Sequence, residues 1–240
     1  MESGERPPLK VDLRLFSTRA GLPGGDDKGG RGFLIRTVWL FVNAIVFLNP
    51  VLPAYNLKTR ILRAFGAEIG EGVIIKPSVN IKYPWFLKIG DHCWIGERAW
   101  LDCTSPLTIG SHVVISQGAF LCCGTHDWED PGMGSVTTPI VVEDGVWIAA
   151  FARIAGNVTI GQETMVAMGS VVFSDCEPRS TYRGNPAQRV GRRRIRDYPG
   201  PKRPSAHRHV APAPAAGPVP GATPRAPLAP APLFPSPLPG

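Results

Sequence analysis

The sequence has few cysteines, and no two of them stand in a C-x-x-C pair. Five cysteines in 240 residues are an odd number at irregular spacing. This pattern excludes a disulfide framework and a zinc finger. Unpaired cysteines are typical of a reducing compartment, so we expect a cytoplasmic protein.

Long hydrophobic runs are also missing. The most apolar segment spans residues 33–57, and its uncharged stretch from Thr37 to Leu48 has 12 residues before Pro50 and Pro53. A bilayer span needs about 20 residues. The pattern predicts a helix over about 33–48, within an apolar helical segment at 33–66. That helix packs on the protein's own core or a neighbouring subunit, or it contacts the inner face of a membrane through residues 33–57. A true span is the third alternative.

Acidic residues are scarce towards the end of the chain. From Arg189 onward there are nine basic residues and one acidic residue, whereas the rest of the chain holds 17 basic and 18 acidic ones. The high pI of about 9.4 therefore comes from the tail, and we expect no nucleic-acid partner. Residues 200–240 contain 13 of the 26 prolines, which predicts a disordered Pro/Ala-rich tail at 196–240. Residues 1–32 are expected to be a flexible leader.

An aliphatic residue recurs at every sixth position through the middle of the chain. Six residues per step fits neither a helix nor an alternating strand, but it fits a short strand followed by a turn. The regular spacing is broken three times, each time after the third step of a set, so three steps make one triangular coil and the insertions share one corner. This indicates a parallel β-helix of about five coils. The fifteen positions are Ile69, Ile75, Ile81, Ile89, Ile95, Leu101, Ile109, Ile115, Leu121, Val142, Ile148, Ile154, Ile160, Val166 and Val172.

The repeat resembles that of the hexapeptide-repeat acyltransferases, and within them the branch of colanic acid biosynthesis acetyltransferases near the maltose and galactoside O-acetyltransferases. Four stretches carry the resemblance: YPWFLKIGDHCWIGERAWLD (83–102), ISQGAFLCCGTHDWEDP (115–131), VEDGVWIAAFARIAGNVTIG (142–161) and YRGNPAQRV (182–190). The resemblance implies an all-β, left-handed parallel β-helix over residues 67–195. It also implies a homotrimer whose active sites lie between neighbouring β-helices.

His126 is the candidate catalytic residue. It is the last residue of the step that begins at Leu121, directly before the long loop 127–141, and it matches the family's catalytic histidine. A neutral imidazole can remove the proton of a sugar hydroxyl as that hydroxyl attacks a thioester. Because no acyl-enzyme is required, Cys122 and Cys123 need not act as nucleophiles.

The resemblance implies acetyl-CoA as the acyl donor and no metal. Asp102, on the preceding coil, is the match to the family's acceptor-binding residues, and Asp127 is a second candidate for sugar binding. Ser174 stands where the family often has a phosphate-binding lysine, and Gln188 where a basic residue is common. The candidate residues for acetyl-CoA are Trp147, Ala150, Met168, Ser174, Arg183, Gln188 and Arg189.

These features predict an acetyl-CoA-dependent O-acetyltransferase acting on a sugar or lipid-linked glycan acceptor of exopolysaccharide or a related glycan. Three alternatives stay open. An N-acyltransferase of an amino sugar would usually carry extra domains. A second alternative is a non-catalytic β-helix scaffold, but the position of His126 beside the long loop favours an enzyme. A metal-bearing β-helix of the γ-type carbonic anhydrase kind needs three converging histidines, but His92 and His112 occupy a different repeat position from His126.

Overall fold

A computed structural model describes residues 31–196 of the chain. The described part consists of a helical segment followed by a solenoid of short parallel strands. Most of the predicted leader (1–32) and nearly all of the predicted tail (196–240) lie outside the described residues.

Two helices precede the solenoid. The first, α1, spans Phe33–Val42 and continues as a single π-helical turn over Asn43–Phe47. In that turn the amide of Leu48 donates to the carbonyl of Asn43 at 2.9 Å. The sequence predicts one helix over 33–48; the helical run ends at Phe47, and Pro50 and Pro53 lie between it and the second helix, α2, at Tyr55–Ala64. No helix within residues 31–196 has the length and apolar character needed to cross a membrane.

The helices cover the first coil of the solenoid. Trp39, Phe47 and Leu62 are buried, and the indole N–H of Trp39 donates to the carbonyl of Ile81 at 2.9 Å. Lys58 of α2 is fully buried, its ammonium donates to the carbonyl of Lys76 at 3.1 Å, and burial lowers its pKa. The helical segment is therefore anchored by one face to the solenoid.

Three parallel sheets form the sides of the solenoid. The first sheet contains Glu68–Ile69, Leu87–Ile89, Leu107–Ile109, Ile140–Val142 and Val158–Ile160. The second contains Ile74–Ile75, Trp94–Ile95, Val114–Ile115, Trp147–Ile148, Met165–Val166 and Ser180–Gly184, and Ala187–Arg192 pairs antiparallel at its end. The third contains Asn80–Ile81, Trp100–Asp102, Phe120–Cys122, Arg153–Ala155 and Val171–Val172.

The six-residue repeat forms the core, as the sequence predicts. On the first sheet, Ile69, Ile89, Ile109, Val142 and Ile160 pair one above another in successive coils. All fifteen repeat positions are at most 9% exposed. One buried aliphatic residue per side of each coil gives a thin but continuous core. The parallel β-helix of about five coils is confirmed, and Ser180–Gly184 adds a strand beyond the fifth.

All three insertions lie where the third sheet passes to the first, and we call this edge the insertion corner. It comprises residues 82–86, 102–106 and 122–139. Pro84–Phe86 forms a short 3₁₀ helix, and Gly124–His126 pairs antiparallel with Ser135–Thr137 to form a hairpin. The predicted common corner is confirmed, because Leu87, Leu107 and Ile140 restart the first sheet in register after each insertion.

Candidate active site

His126 lies on the hairpin of the insertion corner, outside the three sheets of the solenoid. Its backbone pairs with Ser135 across the hairpin, and its side chain is exposed. The ring Nδ1 lies 2.8 Å from the carbonyl oxygen of Met133. A carbonyl oxygen only accepts, so Nδ1 carries a hydrogen and the lone pair of the neutral ring is on Nε2. The loop thus selects the tautomer in which Nε2 can act as a base.

A polar cavity of about 320 Å³ lies beside this ring. Hydroxyl and carboxylate groups from three segments of the insertion corner line it, and this set of groups can hydrogen-bond to a polyhydroxylated ligand. Lys82 and Tyr83 close one side of the cavity. The polar lining residues from the later segments are Asp102, Thr104, Thr125, His126, Ser135 and Thr137.

Two buried polar atoms in the wall of this cavity have no hydrogen-bond partner among residues 31–196: Oδ1 of Asp102 and Oγ1 of Thr104. Asp102 is 6% exposed and Thr104 is 9% exposed. The ammonium of Lys82 lies 3.5 Å from Asp102 Oδ1, an ion pair too long for a hydrogen bond. Buried polar atoms are normally satisfied, so this pair points to a polar ligand in the cavity.

An apolar groove of about 460 Å³ runs along the third sheet on the other side of the His126 strand. It shares Gly124 and Thr125 with the polar cavity, and Phe120, Val171 and Phe173 line it further along the solenoid. The strand Gly124–His126 therefore separates a polar site from an apolar one. A ligand with a flexible, largely apolar arm would fit the groove, and a polar partner would fit the cavity.

Comparison with known proteins agrees with this geometry. Residues 139–174 match the family model described as bacterial transferase hexapeptide (six repeats). The chain is 39% identical over 176 residues to WcaF of Escherichia coli strain K12, provisionally named a colanic acid biosynthesis acetyltransferase, covering 73% of this chain and 93% of that protein. The chain belongs to the hexapeptide-repeat acyltransferase family. The resemblance in the sequence is confirmed.

The chain is also similar to two further proteins, one by sequence and one by fold. The galactoside O-acetyltransferase of Escherichia coli strain K12 is 26% identical over 131 residues, 53% of this chain and 64% of that protein. The crystal structure of a hexapeptide-repeat acetyltransferase from Vibrio cholerae O1 biovar eltor, complexed with acetyl-CoA, superposes with a TM-score of 0.64. It is 23% identical, and the match covers 74% of this chain and 96% of that one. That structure supports the fold.

The predicted acetyl-CoA residues of this acyltransferase divide between different edges of the solenoid. Trp147 is on the second sheet, 40% exposed, with its indole N–H donating to Ser116 Oγ at 3.0 Å. Ala150 and Met168 follow strands of the second sheet and precede strands of the third, so they stand at the corner between those sheets. His126 stands at the insertion corner. One chain does not bring these groups together.

The remaining predicted acetyl-CoA residues of the acyltransferase lie towards the end of the solenoid. Ser174 is exposed just after the third-sheet strand Val171–Val172, two coils beyond His126. Arg183 pairs with Gln188 in the terminal hairpin. The guanidinium of Arg189 lies 3.0 Å from Ser180 Oγ and 3.2 Å from a carboxylate oxygen of Glu177. Arg183 and Arg189 give this end a basic character, and their contact with the donor stays a prediction.

Asp127 belongs to the loop after His126 in this acyltransferase. Its Oδ1 accepts hydrogen bonds from the amides of Glu129 at 3.0 Å and Asp130 at 3.3 Å. The carboxylate of Asp130 in turn accepts from the amides of Gly132 and Gly134, both at 3.0 Å. These acidic residues shape the loop that carries Met133. Sugar binding by Asp127 stays a prediction. Its hydrogen bonds to the loop amides show that it stabilises the loop.

The cysteines of the acyltransferase are free thiols, and burial makes them poor nucleophiles. Burial and the nearby Asp102 carboxylate raise the pKa of Cys122. The same two causes raise the pKa of Cys123 to about 12. A thiol is nucleophilic only as the thiolate, so both cysteines are poor candidates for a nucleophile.

The other described histidines of the acyltransferase are remote from its candidate site. His92 and His112 stand at the corner between the first and second sheets, with positive φ angles of 54° and 57°. Their rings stack at a centroid distance of 5.3 Å. Since His126 stands at another corner, the three side chains do not converge as a three-histidine metal site requires.

Residue-type reasoning missed Lys82, Tyr83 and Thr104 as parts of the site. A signal for them exists in the sequence, because every irregular step falls at the same corner. The pattern therefore predicts that residues of the two shorter insertions lie at the same corner as His126. The hydrogen bond between His126 and Met133 had no such signal, since it depends on the shape of the loop.

Proposed function

We propose that this acyltransferase transfers an acetyl group from acetyl-CoA to a sugar hydroxyl of an exopolysaccharide or a related glycan. The observation that carries the proposal is the placement of the His126 ring beside a polar cavity in which the buried Asp102 Oδ1 and Thr104 Oγ1 have no hydrogen-bond partner among the described residues. The similarity to WcaF and to the galactoside O-acetyltransferase supports a glycan as the acceptor.

His126 acts as the general base in this mechanism. Nε2 removes the proton of the acceptor hydroxyl as the oxygen attacks the thioester carbonyl. The tetrahedral intermediate then collapses, the C–S bond breaks, and the departing CoA sulfur takes the proton from the imidazolium. The bond from Nδ1–H to the Met133 carbonyl persists throughout and stabilises the imidazolium, because a carbonyl oxygen faces the positive ring.

Asp102 and Thr104 bind the acceptor sugar in this proposal. A sugar hydroxyl that donates to Asp102 Oδ1 satisfies a buried acceptor that otherwise costs about 1–3 kcal/mol. The hydroxyls of Thr125, Ser135 and Thr137 offer further partners across the cavity. The apolar groove on the third sheet receives the pantetheine arm, so that its thioester reaches the His126 strand.

A homotrimer completes the site in this proposal. Trp147, Ala150 and Met168 stand on another edge of the solenoid than His126, so a neighbouring copy supplies them. Exposed aromatic rings on the second sheet, including Trp94 and Trp147, give such an interface apolar area. Light scattering that finds a monomer at working concentrations would contradict the trimer.

We also propose a cytoplasmic location, which the free thiols support. It places the enzyme where its acyl donor is made.

The deciding experiment is a thiol-release assay with acetyl-CoA and a panel of acceptors. The panel holds neutral sugars, uronic acids, amino sugars and lipid-linked oligosaccharides, with His126→Ala as the matched inactive enzyme. We expect acceptor-dependent release of CoA thiol and an ester product that hydroxylamine cleaves. A hydroxylamine-stable amide formed on the amino sugars alone would instead establish the N-acyltransferase. Release that does not depend on any acceptor, or that His126→Ala retains, would overturn the proposal.

A further inference from the structure

The face of α1 and its π turn that points away from the solenoid is apolar along its whole length. The buried face presents Trp39, Asn43 and Phe47 to the first coil. On the opposite side of the helix lies what we call the outward stripe, in which large apolar side chains recur at spacings of four and three residues. A helix that is apolar on every side normally has both faces covered. The outward stripe consists of Leu34 (73% exposed), Val38 (45%), Phe41 (61%), Ile45 (65%) and Leu48 (41%).

The charges around the stripe are all of one sign. Residues 31–67 contain no aspartate or glutamate. The arginines stand at the two ends of the segment, and Arg31 and Arg60 are exposed. This combination of apolar side chains and basic residues is complementary to a membrane surface with anionic lipid headgroups. Lys58 is buried and Arg63 donates to the carbonyls of the first coil, so the basic residues left for headgroups are Arg31, Arg36 and Arg60.

The same charges disfavour a second copy of the chain as the partner of the stripe. A spacing of four and three residues also suits a helix–helix seam, but such seams are flanked by residues of opposite charge. Two copies of this segment would bring only basic residues together. Charge complementarity therefore favours lipid over self-association.

The stripe belongs to the helix that walls a cavity next to the proposed acceptor site. A cavity of about 440 Å³ lies between α1 and the first two coils, lined on the helix side by Thr37 and Leu40 among others. It shares Lys82 and Tyr83 with the polar cavity beside His126. A glycan carried on a lipid could thus reach His126 from the side of the docked helix.

We propose that the outward stripe docks this enzyme on an anionic membrane surface, which makes a lipid-carried glycan its natural acceptor. The docking follows from residues 31–67 alone, and only the identity of the acceptor rests on the proposed function. In the docked state the side chains of the stripe enter the interface while the exposed Arg31 and Arg60 contact headgroups, so that the protein lies on the bilayer without spanning it.

The test is co-sedimentation of the full chain with vesicles of phosphatidylcholine alone and of phosphatidylcholine with 30% phosphatidylglycerol. The matched variants are Ile45→Asp on the stripe and Ile195→Asp at the far end of the solenoid, where the isoleucines are 65% and 58% exposed. We expect binding to the anionic vesicles that weakens with salt, at least a tenfold lower partition coefficient for Ile45→Asp, and no change for Ile195→Asp. If Ile45→Asp fails to fold, Leu34→Asp in the first turn takes its place.

Wild-type protein that stays in the supernatant with both kinds of vesicle would overturn the proposal, as would an Ile45→Asp variant that binds like wild type. A fall in oligomeric mass for Ile45→Asp, in a protein that ignores vesicles, would assign the stripe to a second copy. Acetyl transfer to a soluble sugar should be equal in wild type and Ile45→Asp. A protein that binds vesicles but transfers no acetyl group would refute the proposed function and leave the docking intact.

Discussion

Histidines stand at two corners of this solenoid, and the surroundings of the rings differ although all of them are exposed. His92 and His112 fill one repeat position, where the backbone needs a positive φ, and glycine fills it in other coils at Gly72 and Gly145. Their rings stack on each other. His126 sits on a hairpin outside the three sheets, with its tautomer set by the loop and with two buried oxygens beside it that have no hydrogen-bond partner among the described residues. Exposure alone therefore does not distinguish the three rings, whereas the imposed tautomer and the polar cavity set His126 apart.

The largest effect should come from removing the base. We expect His126→Ala to lower kcat by about 10²–10⁴-fold, because general base catalysis typically contributes that much, and to leave acetyl-CoA binding unchanged. Steady-state kinetics and isothermal titration measure the two quantities. His112→Ala is the matched control from the other corner and should be nearly silent. An equal loss of kcat in both variants would show that His126 has no special role compared with His112.

The next largest effect should come from the floor of the polar cavity. Asp102→Asn removes the charged acceptor, and a hydrogen bond to a charged group is worth about 1.5–3 kcal/mol, so we expect KM for the sugar to rise roughly 10–100-fold. KM for acetyl-CoA should not change. Asp91→Asn is the control. The Asp91 carboxylate accepts a hydrogen bond from the Glu71 amide at 2.7 Å and lies at the corner between the first and second sheets, away from the polar cavity. A rise in both KM values for Asp102→Asn would indicate a loss of local structure instead.

A smaller effect should appear on the donor side. Trp147→Ala removes a ring that the proposed trimer brings to the donor, and we expect KM for acetyl-CoA to rise by about tenfold, which corresponds to about 1.4 kcal/mol. Trp94→Ala is a close control, because Trp94 is on the same sheet in an earlier coil with nearly the same exposure, 41% against 40%. If both variants raised KM for acetyl-CoA alike, the cause would be damage to the proposed trimer interface and not the loss of a contact between Trp147 and the donor.

The smallest effect should come from the thiol nearest to the site. Cys122→Ser should keep kcat within about twofold, because burial raises the pKa of the thiol and the thiolate is the reactive form. Mass spectrometry after mixing with acetyl-CoA should find no acetylated enzyme. A stable acetyl-cysteine adduct that disappears in Cys122→Ser would contradict direct transfer.

The sequence predicted the solenoid well because its physical signal is repeated. Each of the fifteen buried aliphatic positions reports the same geometry, and the common corner of the insertions confirms the phase. The helical segment was predicted less closely. Its burial on Asn80 and Ile81, through Asn43 and Trp39, depends on contacts far along the chain, and α2 was covered only as part of a helical segment.

The candidate site was predictable only where it coincides with the repeat. The place of His126 at the end of a six-residue step located it, and the resemblance to the acyltransferase family located both His126 and Asp102. The bond between His126 and Met133 arises inside an irregular loop whose path is set by the amide contacts of Asp127 and Asp130. No periodicity governs such a loop. Predicting that Lys82 lies beside Asp102 would have required the inference that residues of successive insertions are neighbours at the shared corner.

The insertion corner carries the candidate acceptor site, whereas the stacked coils carry the fold. The chain leaves the coil at Cys123 and returns at Thr138, whose amide donates to the Cys123 carbonyl at 2.8 Å, so the excursion begins and ends at one point of the ladder. Doubling the length of such a closed loop costs only about 0.6 kcal/mol of chain entropy. The excursion can therefore be lengthened or exchanged while the stacked coils keep their register. In the proposed mechanism a new acceptor preference is therefore accessible by exchanging Thr125, Ser135 and Thr137, which line the polar cavity. Met133 is kept beside His126, and the core needs no redesign.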